Sequence, residues 1–270
     1  MAGECLQTAF LGDLSIPVFA PNESSGFDIR QPSPNEHEVT YSSGFETKYL
    51  LTRSTDRKKL VHWLSSLCQP DCKFPRANVH SIYFDTRDWK LLGDKLDSNF
   101  IKLKVRLRWY SNPENGNCDR AVFLEIKRRV GSQREKRRLL FPLPAHELIQ
   151  RGCDSEVERL VHALLPILGF TLPRGLFGAF QVRYHRYRFL DPTTCSRISV
   201  DSEIVAPAVY RSRASRIFKP PMDRVVLEVK GSSVDLPVNL RRLARIGIRK
   251  SSFSKFANCA NHILHLKNQA

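Results

Sequence analysis

IKLKVRLRWY, residues 101–110, alternates without a break: Lys102, Lys104, Arg106 and Arg108 fill the even positions, and Leu103, Val105, Leu107 and Trp109 the odd ones. Successive side chains of a strand point to opposite faces, so this segment reads as a ribbon with one apolar and one cationic face. Like charges repeating roughly every 6.6 Å along one side repel each other, and a dense polyanion such as a phosphate chain is their natural counterpart. A solvated outer face of a basic protein accounts for this segment equally well. Recurrence elsewhere in the chain favours the first reading.

The whole chain is basic. Its 270 residues carry 43 Lys and Arg against 27 Asp and Glu, a net charge of +16. This points to nucleic acid, a membrane surface or a phosphorylated small molecule. The length suffices for one large β-rich domain or two smaller ones. Seven scattered cysteines without paired CxxC spacing read as free thiols of a reducing compartment. The longest apolar run, 163–172, is broken by Pro166 and Gly169 and is too short to span a bilayer. MAGECLQTAF has neither the basic start nor the apolar core of a secretory signal, and a cytoplasmic protein is expected. Residues 1–41, with Pro17, Pro21, Pro32 and Pro34 among polar residues, read as a flexible arm, and 42–267 as the folded domain.

Outward from the cationic strand, turn residues at 112–116 return the chain into AVFLEIKRR (121–129), with Glu125 and Lys127 on one face. EKRRLLF then offers Lys136 and Arg138 on one side. Upstream, GFETKYLL sets Glu46 and Lys48 opposite Phe45, Tyr49 and Leu51, and VHSIYFDT (79–86) ends in a turn or cap at Asp85 and Thr86. Downstream, QVRYHRYRF groups Tyr184, Arg186 and Arg188, SRISVDS aligns Arg197, Ser199 and Asp201, and RVVLEVK pairs Glu228 with Lys230. Helical spacing appears over 56–67, capped by Ser54 or Thr55, over 145–151 and 155–168 with a break at Pro166, and over 236–266, interrupted at 247–254.

Glu-x-Lys thus occurs three times, at Glu46, Glu125 and Glu228, each time inside an apolar-alternating strand. In an open sheet or a sandwich, such pairs are ordinary surface contacts. An antiparallel sheet closed into a barrel would instead turn the charged faces into a polar tunnel, with helices covering the apolar outside. The expected class is α+β, a closed antiparallel barrel with the three helical regions packed around it.

FETKYLL, SIYFDT, KVRLRWY, FLEIK, KRR, HRYRF, SRISVD, LEVK and SFSKF resemble, in order and approximate spacing, the VTC domain, a polyphosphate polymerase domain of the triphosphate tunnel metalloenzymes. The resemblance covers about 44–260. It implies a β-barrel tunnel in which the γ-phosphate of ATP passes to a growing polyphosphate or pyrophosphate acceptor with a divalent metal, Mn²⁺ or Mg²⁺. Carried over position by position, it marks Arg106, Arg108, Lys127 and Lys230 as catalytic cations. Lys48, Lys136, Arg138, Arg186, Arg197 and Lys255 become phosphate ligands, Lys104 joins them by alternation, and Glu228 matches the metal carboxylate.

No dedicated base is required, because the acceptor oxygen is already anionic; alignment and charge neutralisation suffice. The chain departs from the pattern where relatives carry lysine at the position of Ser252, with Lys250 two residues earlier. An inorganic triphosphatase or a nucleotidyl cyclase would share the tunnel, but these usually have Glu where this chain has Gly44. A binding module without turnover is the other alternative. Nucleic acid is not expected, because the cations follow strand alternation without an exposed aromatic platform or a basic helix. A separate membrane partner would be needed to move product across a bilayer.

Overall fold

A computed structural model describes residues 37–42, 44–51, 57–210 and 222–267, with side chains omitted for 37–42, 244, 246 and 265–267. In chain order the elements are β1 (His37–Ser42), β2 (Phe45–Leu51), α1 (Arg57–Leu67), β3 (Gln69–Pro70), β4 (Arg76–Asp85), α2 (Lys90–Leu96), β5 (Ile101–Ser111), β6 (Val122–Val130) and β7 (Gln133–Phe141). There follow α3 (Ala145–Arg151), α4 (Ser155–Leu164), β8 (Phe177–Leu190), β9 (Arg197–Val205), β10 (Val225–Gly231), β11 (Arg249–Lys250) and α5 (Lys255–Lys267). Most of the arm read over 1–41, the cap proposed at Ser54 or Thr55 and the segment 211–221 lie outside the described residues. Residues 37–41 belong to β1, whose backbone pairs with β7.

All strand pairs are antiparallel, and the sheet runs β1-β7-β6-β5-β4-β8-β9-β10-β2-β11, with β3 appended to β8. The closed barrel expected from the sequence is not formed by the described strands. The path ends at β1 and β11, which do not pair with each other, because the two-residue β11 occupies the remaining edge of β2 through Arg249 and Lys250. From there the chain crosses to the other flank of the charged face. Ser251 N donates to the Lys48 carbonyl at 2.8 Å, and Lys104 Nζ of β5 lies 3.1 Å from Ser254 Oγ. Residues 251–254 therefore bridge β2 to β5, strands widely separated in the sheet order.

The alternation of the strands fixes what lies behind the sheet. Leu107, Trp109, Leu124, Ile126 and Leu139 are fully or almost fully buried, in one core with Leu148 of α3 and Val157, Leu160 and Val161 of α4. A second core packs Leu60 and Leu64 of α1, and Leu240 and Leu243 of the 3₁₀ segment Val238–Ile246, against Leu51, Val200, Val225 and Leu227. Asp154 caps α4 by accepting from Val157 N at 2.8 Å. Pro166 converts the next turn to 3₁₀ geometry, which stops at Gly169 with φ 66°.

The second half of the region read as 236–266 corrects the expectation of outer cover. α5 packs on the charged side of the sheet, with Phe256 stacked on Phe180 (centroids 5.8 Å apart) and tilted against Tyr83 (5.2 Å). The Tyr83 hydroxyl in turn accepts from Arg106 Nη1 at 3.3 Å, which identifies the shared face. α2 was not legible from spacing. Asp85 fixes it by accepting from the backbone N–H groups of Leu91 and Leu92 at 2.9 and 3.0 Å. No helix among the described residues is long and apolar enough to cross a membrane.

Candidate functional site

Strand register places the cations in rows. Lys104 lies opposite Lys127, which lies opposite Lys136; one step along, Arg106 lies opposite Glu125, which lies opposite Arg138. Adjacent strands are roughly 4.8 Å apart, so each row is a ladder of charge across β5, β6 and β7. β2 and β10 carry the opposing row, with Lys48 opposite Glu228 and Glu46 opposite Lys230. The two flanks sense each other directly: Lys127 is destabilised by Lys230, and Lys104 by Lys48. The sheet therefore curls so that its charged face lines a hollow.

Within it, cations divide by partner. Arg106 is buried and grips Glu125 through Nε (2.8 Å) and Nη2 (2.6 Å). Burial pushes Glu125 up, but Arg106, Arg108, Lys127 and Lys136 outweigh it and hold the carboxyl well below its usual range. Arg186 is bidentate on the two oxygens of Asp201, at 2.6 and 2.7 Å, and Lys255 at the start of α5 bonds the second of them. Burial also opposes ionisation of Asp201, and Arg186 and Lys255 overcome it. Arg108 is buried as well, yet its described partners are neutral hydroxyls, Ser81 at 3.1 Å and Tyr184 at 3.3 Å. Lys255 also sits 4.6 Å above the Tyr184 ring.

Glu228 is buried between two lysines, 3.1 Å from Lys230 and 3.8 Å from Lys48, while Glu46 contacts the same pair at 3.5 and 3.0 Å. Burial raises the Glu228 pKa, but Lys230 and Lys48 hold it well below the normal range. Lys136 reaches Glu125 at 3.6 Å, and Arg138 lies over the Phe123 ring at 4.6 Å. Lys104 and Lys127 make no ion pair among the described residues. Burial, followed by the charges of Lys48 and Arg106, pushes Lys104 down to about 7. Burial, then Arg106 and Lys230, puts Lys127 well below the lysine range.

The hollow thus brings together Lys48, Lys104, Arg106, Arg108, Lys127, Lys136, Arg186, Glu228, Lys230 and Lys255 through direct contact or mutual charge. Arg197 shares the face, opposite Lys230 in register, but its side chain is exposed. Spacing put Glu125, Asp201 and Tyr184 on the charged faces but gave them no site role; the structure makes the first two internal counter-charges and the third a hydroxyl partner of Arg108. The hydroxyls of Tyr83 and Ser254 carried no such signal. A cleft of about 260 Å³ is lined by Arg57, Arg76, His185, Arg186 and Glu203. Its arginines are already matched, Arg57 by Glu203, which His185 also contacts, Arg76 by Glu114 at 3.2 Å and Arg186 by Asp201.

No group of three or more His, Cys, Asp or Glu side chains that could cage a metal occurs among the described residues. Of the buried carboxylates on this face, Glu125 and Asp201 are engaged by arginines, whereas Glu228 is contacted by lysines and could offer an oxygen to a hard divalent ion that takes its other oxygens from substrate and water.

A family model described as the VTC domain matches residues 43–264. Among solved structures, the PH1819 protein of Pyrococcus horikoshii OT3 is 13% identical, with a TM-score of 0.43 over 82% of this chain and 99% of that one. A candidate adenylate cyclase of Bacillus halodurans (bh2851) is 14% identical, with a TM-score of 0.47 over 79% and 95%. No curated protein matches.

Proposed function

Because the chain belongs to the VTC domain family, we propose that it is a polyphosphate polymerase, which passes the γ-phosphate of ATP to an inorganic polyphosphate or pyrophosphate acceptor. The observation that carries this reading is the convergence of cations from β2, β5, β6, β7, β8, β10 and α5 on one hollow, in which the buried carboxylates Glu125 and Asp201 are forked by arginines and a third, Glu228, is held by lysines. In this reading the curled sheet and residues 251–254 together enclose a tunnel, so the closure comes from the crossing segment and α5 rather than from strand pairing.

The reaction asks little of the protein in covalent terms. A terminal oxygen of the acceptor forms a bond to the γ-phosphorus, the bond from that phosphorus to the β-bridging oxygen breaks, and ADP leaves with the electron pair. The attacking oxygen is already anionic, so no proton has to be removed. Arg108, with hydroxyl partners only, is free to direct its fork at a phosphate, and the lysine row supplies point charges along the chain. Lys48 and Lys230 hold Glu228 ionised and oriented toward the same space. Mn²⁺ or Mg²⁺ held between Glu228 and phosphate oxygens would supply Lewis-acid neutralisation of the transferring group.

Incubating the protein with ATP, Mn²⁺ and pyrophosphate and resolving products by gel tests this. A ladder of polyphosphate with stoichiometric ADP is expected. Free phosphate alone would make the protein a triphosphatase, a cyclic nucleotide a cyclase, and unchanged ATP a binding module. The reading places this chemistry on the cytoplasmic side, where ATP is.

A further inference from the structure

Lys104, Lys127 and Lys136 stand opposite one another on β5, β6 and β7, three ammonium groups in one row across the hollow. Lys136 has Glu125 at 3.6 Å, whereas Lys104 meets only the Ser254 hydroxyl and Lys127 has no ion-pair partner among the described residues. Every other element facing them adds mainly positive charge. Lys104 faces Lys48 and, more weakly, Glu46 on β2, Arg106 on its own strand and Lys95 on α2. Lys127 faces Arg106 and Arg108 on β5, Lys230 on β10, Glu125 on its own strand and Glu46 on β2. Arginines in the same hollow cannot relieve such crowding by losing a proton; lysines can.

We propose that a triphosphate or polyphosphate chain binds this row together with protons, Lys104 and Lys127 each taking one from solvent as the ligand's oxygens arrive. The inference rests on the phosphate-binding reading above and adds a linkage to it. In the ligand-free hollow, burial and neighbouring cations hold both amines low, Lys104 at about 7. A polyanion reverses the sign of the local field and restores their ordinary affinity for a proton. Affinity for the polyanion then falls as pH rises above the ligand-free value, by roughly tenfold per pH unit for each proton taken up. The hollow is in this sense charged by its own substrate, and avoids holding a full row of unpaired cations while empty.

Calorimetric titration with inorganic tripolyphosphate, without metal, at a pH between 8 and 9 tests the linkage in buffers of differing ionisation enthalpy. Wild type is expected to take up one to two protons per ligand, roughly one for each amine. Lys127→Arg and Lys104→Arg keep the charge but cannot lose it, so at this pH each should bind at least as tightly as wild type and reduce the uptake by about one proton. Ionisation of the ligand itself contributes equally to all three proteins and cancels in the difference. Thermal melts establish that the variants fold; if either does not, its Met counterpart and the wild-type buffer dependence decide. Binding heats that are independent of buffer, or an uptake unchanged in both Arg variants, would overturn the linkage and leave phosphate binding standing. Absence of any tripolyphosphate binding would overturn both.

Discussion

The arginine half of the hollow and the lysine row solve the same electrostatic problem in opposite ways. Arg106 and Arg186 are permanent charges, and each arrives with a carboxylate that accepts two of its N–H bonds, Glu125 through one oxygen and Asp201 through both, and neutralises it inside the fold. Lys104 and Lys127 have no such partner among the described residues, and burial with neighbouring cations lowers the affinity of both for a proton. The comparison teaches that cations lining one surface are not equivalent as ligands. Those already forked onto a carboxylate build the wall; Arg108, Lys104 and Lys127, which make no ion pair among the described residues, are the ones the proposed function assigns to phosphate.

The largest expected effect breaks the wall. Glu125→Ala leaves the Arg106 guanidinium buried with only the Tyr83 hydroxyl, and should cost about 3–5 kcal/mol of unfolding free energy, measured by denaturant titration. A loss below 1 kcal/mol would mean that the fork is not structural. Next comes Glu228→Gln. Removing a negative charge from between Lys48 and Lys230 should preserve or tighten metal-free triphosphate binding, while turnover with Mn²⁺ falls at least roughly a hundredfold. An identical half-saturating Mn²⁺ concentration in both proteins would take Glu228 out of any metal site.

A pair of arginine substitutions sharpens the contrast. Arg108→Ala should weaken tripolyphosphate binding by about 1.5–3 kcal/mol, the range for a charge-assisted bond, with little loss of stability because its partners are hydroxyls. Arg106→Ala should show the reverse weighting, since it leaves the buried Glu125 with Lys136 at 3.6 Å in place of the two-bond Arg106 contact. Equal effects of the two on affinity and on stability would erase the distinction drawn between them. The smallest effect belongs to the lysine row. The unfolded chain holds Lys104 near 10.5 and the folded one near 7, so between those values the unfolded state binds more protons and ligand-free stability rises with pH. Lys104→Met should flatten that slope and raise stability at pH 7 by about 1 kcal/mol, as charge repulsion is removed. A slope unchanged in thermal melts across pH 7 to 10 would count against a neutral Lys104.

Much of this was legible before folding. The parity of 101–110 assigned Leu107 and Trp109 to the core and Arg106 and Arg108 to the other side, and the motif order pointed to the VTC family that residues 43–264 match. Parity says nothing of which strand lies beside which, however. That Lys127 senses Lys230, or that Lys104 meets Ser254 some 150 positions away, depends on the curl of the sheet and the path of 251–254. The position of α5 was equally hidden, because an amphipathic pattern such as that of Phe256 and Ile263 fits either side of a sheet that has apolar residues on both.

The sequence by itself determined the two-faced strands, the excess of cations on one face and the helices available to cover the other, because these follow from side-chain periodicity, a local property. Only the tertiary structure decided that the sheet path stays open at β1 and β11, that Glu125 and Asp201 neutralise particular arginines, and that Lys104 and Lys127 make no ion pair among the described residues. Those outcomes depend on distances between groups far apart in the chain. Coulomb energy and desolvation act through space and not along sequence.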